Sequence, residues 1–229
     1  MERPRTLVLF AAAMAAVVLA SNILVQFPVA GTIGGVALAD LLTWGAFTYP
    51  FAFLVTDLAN RAHGPAAARR VVYAGFAVAI LCSLVIPPLL FAGGLIGFET
   101  PAGRLPRIAM ASGAAYLCGQ LLDVTIFNRL RRSSWWRAPA LASLAGSAVD
   151  TAIFFTLAFA GAFALIGPGD NFASENAPIL GTLSGEAPRW ISWAMGDFAV
   201  KLVIAAVALV PYRVLMDRLG VWGRPAAHT

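Results

Sequence analysis

Six stretches of this chain are each long and apolar enough to cross a bilayer: about 6–27, 41–60, 70–91, 106–128, 138–166 and 189–212. A spanning helix needs about 20 mostly apolar residues to cover roughly 30 Å of hydrocarbon. No water is available there for a free backbone N–H or C=O, so only helices or closed barrels cross. None of the six shows the ten-residue apolar/polar alternation of a barrel strand. The predicted fold class is therefore an all-α integral membrane protein, a six-helix bundle forming one domain over 1–229. Charge content agrees: only 12% of residues are charged, against about 25% in a soluble domain. The first window opens with Arg3 and Arg5 like a signal peptide, and Ala20 resembles a cleavage residue. Its apolar run continues through "SNILVQF", so the expectation is a retained helix.

Orientation follows from where the basic residues fall. The N-terminus, the connections after the second and fourth windows and the tail hold twelve arginines, among them Arg3, Arg61, Arg131 and Arg224. The opposite side holds three, Arg104, Arg107 and Arg189, and collects acids such as Asp170 and Glu175. Both termini are expected in the cytoplasm and the long loop 167–188 outside, irregular or acting as a lid. The net charge of +5 reflects this topology and implies no nucleic-acid partner, because the arginines are spread over separate loops.

Several chemistries are excluded. Lys201, the only lysine, is followed by Leu202, so there is no phosphate-binding loop. His63 and His228 are the only histidines, and neither belongs to a metal-ligand cluster or sits at membrane depth. Metal and cofactor sites are thus not expected, nor is a serine–histidine intramembrane protease. "AMGD" before Phe198 lacks the paired glycines of an intramembrane aspartyl protease. Cys82 and Cys118 lie within predicted spans and read as small hydrophobes.

What remains is polarity where oil is expected. Ser112, Tyr116, Gln120 and Asp123 form one stripe, Ser143, Ser147, Asp150 and Thr151 a second, and Trp190, Trp193, Asp197 and Lys201 a third. Each set keeps to one helical face. Asn22 with Gln26, and Trp44 with Thr48, are further four-residue pairs. Such faces must turn inward. At 1.5 Å per residue, Asp150 lies roughly 18 Å from the inner side and Asp197 roughly 12 Å from the outer side, so both reach the midplane, with Lys201 one turn deeper. Asp197 and Lys201 are placed for an i, i+4 pair. Two acids and one base leave one carboxylate without a formal partner, and by depth and charge the free one is assigned to Asp150. Asp57 and Asp123, with Arg61 and Arg129 nearby, are expected to form structural salt bridges at the cytoplasmic ends.

Each feature has a structural alternative. The Asp197–Lys201 pair could only fix helix packing, Asn22 and Gln26 could only join helices, and Trp44, Trp190 and Trp193 could only anchor the interface.

"SNILVQFP" at 21–28, "TWGAFTYPFAFLVTDLANRAHG" at 43–64, "RIAMASGAAYLCGQLLDVTIFNRLR" at 107–131, "WWRAP" at 135–139, "GSAVDT" at 146–151 and "GDFAVK" at 196–201 resemble the bacterial queuosine-precursor transporters, also called the vitamin uptake transporter family. The resemblance implies a six-helix inner-membrane importer of 7-deazaguanines, akin in fold to the substrate-binding subunits of energy-coupling-factor transporters. The substrate would be 7-cyano-7-deazaguanine, its 7-aminomethyl relative or queuine. Its partners would be that small molecule and the bilayer, with a homodimer left open. In such a site Asp150 or Asp197 would accept the guanidine-like N–H edge. Asn22, Gln26 or Gln120 would read the carbonyl edge, and Trp44, Tyr116 or Trp193 would stack on the ring. Ser147 and Lys201 complete the candidate set. Two other readings stay open: a binding subunit that needs an ATPase partner, and a structural membrane protein with buried polar contacts.

Overall fold

The computed structural model describes residues 3–218, with side chains from Arg5 onward. Arg224 and His228 lie outside the described residues. In order come α1 (Arg3–Leu24), β1 (Thr32–Ile33), β2 (Val36–Ala37), α2 (Gly45–Thr48), α3 (Pro50–His63), α4 (Pro65–Ala92), α5 (Leu105–Leu130), α6 (Arg137–Phe159), α7 (Asn171–Ser174), β3 (Asn176–Pro178), β4 (Glu186–Pro188) and α8 (Arg189–Arg218). Among the described residues, five helices are long and apolar enough to cross a membrane: α1, α4, α5, α6 and α8. The chain is a multi-pass, all-α membrane protein.

The window 41–60 departs from expectation, because it holds two helices. Tyr49 keeps helical backbone angles, φ −57° and ψ −38°, and its N–H donates to the Gly45 carbonyl at 3.0 Å. Pro50, next, has no N–H, and its ring crowds the carbonyl four residues back. The helical run is therefore divided at Tyr49–Pro50 into α2 and α3. α3, with 14 residues, rises about 21 Å, short of a full crossing. Thr56, Asp57 and Asn60 could not face lipid, and all three are buried. α3 accordingly threads the centre of the bundle, in contact with α1, α4, α5, α6 and α8.

The window 138–166 also ends early. α6 stops at Phe159, and Gly161–Ile166 is a 3-10 turn. Arg107 of α5, 1% exposed, donates to the Leu157 carbonyl at 2.8 Å, to Ala160 at 2.6 Å and to Gly167 at 3.1 Å. It satisfies carbonyls that a helix end leaves unpaired. The loop 167–188, expected to be irregular, contains α7 and the antiparallel β3–β4 hairpin. Ion pairs Arg104–Asp170 at 2.7 Å and Arg189–Glu175 at 3.6 Å tie it down.

Met14, Val18, Val71, Val72 and Val124 form the apolar core between α1, α4 and α5, and Phe127, Ala138, Tyr212 and Met216 a second cluster towards the other end. α5 and α6 meet at glycines: a Cβ on Gly119 or Gly146 would lie 2.9 Å from the other's carbonyl oxygen, so the backbones approach as small residues permit. α8 is different. Val203, Val207, Val210 and Val214 are all exposed, a lipid-facing stripe along one side.

Candidate functional site

Lys201, buried in the bundle, faces two acids at once. Its Nζ lies 2.7 Å from Asp150 Oδ2 on α6 and 2.6 Å from Asp197 Oδ2 on its own helix. The third Nζ proton goes to Thr151 Oγ1 at 3.0 Å, and the Thr151 hydroxyl donates to Asp197 Oδ2 at 2.8 Å. Tyr49, between α2 and α3, donates to Asp150 Oδ1 at 2.9 Å. The Tyr49 ring centroid lies 5.1 Å from Nζ, within cation–π range. A cluster of two carboxylates and one ammonium carries net −1.

This corrects the assignment of the free acid. Asp150 has both oxygens engaged and a side chain only 6% exposed, whereas the Asp197 side chain is 15% exposed. Asp197 Oδ1 receives none of the hydrogen bonds described. The physical reason is Tyr49, whose hydroxyl takes up Asp150 Oδ1, a contact that depth and charge counting could not foresee. The carboxylate with lone pairs to spare is Asp197.

Around the cluster several buried polar atoms have no protein partner, namely Tyr116 Oη, Ser147 Oγ and Gln120 Nε2. Ser147 is one turn from Asp150, and the Tyr116 ring meets the Tyr49 ring edge-on, with centroids 6.4 Å apart. Gln120 Oε1 accepts from the Thr56 hydroxyl at 2.6 Å. Buried polar atoms are usually satisfied, and these three are left without a protein partner.

A family model described as "Putative vitamin uptake transporter" matches residues 43–216. The chain belongs to the vitamin uptake transporter family. Within it, the "Queuosine precursor transporter" of Escherichia coli (strain K12) is 39% identical over 89% of this chain and 83% of its own length. The "Probable queuosine precursor transporter" of Haemophilus influenzae is 35% identical, covering 88% of this chain and 82% of its own length. A Bacillus subtilis relative with the same printed name is 32% identical over 53% of the chain and 58% of its own length. No solved structure matches. The family match includes Tyr49, Asp150, Thr151, Asp197 and Lys201, and leaves out Asn22 and Gln26.

Not every candidate joins this polar centre. Asn22 donates to Val18 O at 2.9 Å and accepts from Ser83 at 3.1 Å, which commits it to the α1–α4 seam. Gln26 lies past the end of α1 and makes no hydrogen bond to the cluster. Trp44 is 46% exposed and rests on Phe47. Trp193 lies one turn before Asp197 on α8, between Phe159 and Phe172, and donates to Asp40 O at 2.7 Å. Asp57 and Asp123 form no salt bridge. Arg61 instead bonds the Tyr212 hydroxyl at 3.1 Å and Arg131 O at 2.6 Å. Sequence reasoning missed Tyr49 as a site residue. Its signal was an aromatic directly before a proline inside an apolar window.

Proposed function

We propose that this protein imports a queuosine precursor, a 7-deazaguanine base, across the inner membrane. The family and the printed names of its relatives supply the class. The observation that carries the reading here is Asp197, whose Oδ1 is open beside a cation already saturated by its partners. A carboxylate accepts two adjacent N–H groups of a guanidine-like edge. The net −1 of the cluster suits an aminomethyl cation equally well. Tyr116, Gln120 and Ser147 offer hydrogen bonds for the carbonyl side, and Tyr49 or Trp193 offers a ring face. Counting α2–α3 as one crossing gives six, with both termini cytoplasmic and the β3–β4 loop outside.

The test is uptake of labelled 7-deazaguanines by the purified protein in liposomes, with and without a proton gradient. Saturable uptake without any partner is expected. Uptake that requires an added ATPase would support a binding subunit instead. Absence of specific binding would leave only the structural reading.

A further inference from the structure

The two ends of the bundle treat arginine differently. At the end that carries α7 and the β3–β4 hairpin, each arginine is spent: Arg104 on Asp170, Arg189 on Glu175, and Arg107 on three carbonyls. At the opposite end α5 stops, α6 starts and α8 stops. There Arg61 and Arg131 donate to each other's backbone carbonyls, at 2.6 and 3.3 Å. Arg132, Arg137 and Arg213 remain exposed. Among the described residues none of these three forms an ion pair, not even Arg213 with Asp217 one turn on.

Two of the three are held in place by rings. The Arg213 guanidinium lies 5.0 Å from the Trp135 ring centroid, and that of Arg137 lies 5.7 Å from the centroid of Trp136, within cation–π range. Trp135 packs on the cluster of Phe127, Tyr212 and Met216, so the α5–α6 turn and the end of α8 share one anchor. Trp136 is 42% exposed. A cation–π contact uses the face of a guanidinium and leaves the N–H fork in its plane free to bond an anion. Tryptophan beside arginine at the ends of apolar helices is the chemistry of the headgroup layer, where an indole sits between oil and water.

The neighbouring surface says what kind of anion belongs there. The exposed stripe of Val203, Val207, Val210 and Val214 runs along α8, and Arg213 flanks its end. From Val203 to Val214 the helix rises about 16 Å. Half of a hydrocarbon core of roughly 30 Å is about 15 Å. The stripe therefore spans one leaflet and finishes at a guanidinium.

We propose that the α5–α6 turn and the end of α8 form a binding surface for an anionic phospholipid. Arg137 and Arg213 donate to phosphate oxygens, Trp135 and Trp136 occupy the headgroup boundary, and an acyl chain lies along the valine stripe. A guanidinium meets a phosphate through paired, charge-assisted N–H···O bonds. A zwitterionic lipid brings its own ammonium, which offsets that attraction, and a free phosphate has nothing to lay on the stripe. The bound lipid ties the last helix to the α5–α6 turn. This surface is independent of the transport reading and stands whether or not a deazaguanine is imported.

The test uses the purified full-length protein in neutral detergent, given phosphatidylglycerol or phosphatidylcholine with the same acyl chains. Retained lipid is counted by native mass spectrometry and thermal unfolding is followed on the same samples. Phosphatidylglycerol should be retained and should raise the melting temperature more than phosphatidylcholine does. R137A/R213A should weaken its retention roughly tenfold or more. R69A/R70A removes two exposed arginines from the start of α4 at the same end and should leave retention unchanged. Equal losses in the two variants would show diffuse charge attraction and overturn the surface, as would equal retention of the two lipids. Inorganic phosphate is the third probe: a melting shift equal to that of phosphatidylglycerol would make this a free-phosphate site and overturn the lipid assignment. If the double variant does not fold, R137Q and R213Q are scored singly, and wild-type retention in both overturns the proposal.

Discussion

Asp150 and Asp197 look interchangeable in the sequence and should behave oppositely when neutralised. Asp150→Asn removes the anion on which both Lys201 and Tyr49 converge, at 2.7 and 2.9 Å. Breaking a buried pair costs about 3–5 kcal/mol. Lys201 keeps Asp197, so the lower end, about 3 kcal/mol, is the better figure. For a chain of this size that lowers the melting temperature by roughly 6–12 °C. Asp197→Asn leaves the Lys201–Asp150 contact and the Tyr49 bond in place but weakens the Lys201–Asp197 contact at 2.6 Å, and should cost about 1.5 kcal/mol, the low end for a hydrogen bond to a charged group. Its effect falls on the ligand. Losing a charge-assisted acceptor, about 1.5–3 kcal/mol, weakens binding about ten- to hundredfold. Thermal unfolding in detergent, paired with deazaguanine binding on the same samples, separates the two. Equal melting temperatures for the variants, or wild-type affinity in Asp197→Asn, would refute the assignment of roles.

Tyr49→Phe removes one hydrogen bond to a charged acceptor and should cost about 1.5–3 kcal/mol, read as a lowered melting temperature with the fold intact. Arg107→Ala strips the Leu157, Ala160 and Gly167 carbonyls of their donor and should destabilise by about 3 kcal/mol or more, with Arg107→Lys recovering part of the loss in the same assay. Gly119→Ala drives a methyl into the Gly146 carbonyl, and overpacking of this kind costs about 1–3 kcal/mol, measurable as reduced yield and thermal stability. A cysteine at exposed Ser174 in a Cys82→Ala, Cys118→Ala background should react with an impermeant reagent added outside intact cells, and one at exposed Ser133 should not; the reverse pattern would invert the topology.

Most of the scaffold was legible because backbone in lipid admits so few solutions. α1, α4, α5, α6 and α8 coincide with apolar windows to within a few residues at most ends. The second window was misjudged because hydropathy is blind to a missing N–H: Pro50 divides the helical run, and the short, polar α3 survives only by being wrapped by its neighbours. The Asp197–Lys201 contact was readable from four-residue spacing, and its meeting with Asp150 from counting depth along two helices. The roles of Tyr49 and Arg107 were not. Both depend on a partner more than 45 residues away in the chain, whose angle of approach no local pattern encodes. The same blindness applied to Asp57, where a nearby arginine suggested an ion pair that the geometry directs elsewhere.

The division of charge between α6 and α8 has a consequence for how the protein is made. α8 is the last of these helices to leave the ribosome, and a lysine or aspartate at its centre would each oppose membrane entry by about 2.5–3.5 kcal/mol. Because Asp197 and Lys201 pair at 2.6 Å on the same helix, α8 enters with its counter-ion already attached. Asp150, on α6, has no such companion on its own helix and is synthesised earlier, so until α8 arrives its charge must be tolerated by solvation or a borrowed proton. Assembly is thereby ordered: the half-built bundle holds an acid whose counter-ion arrives only with the final helix.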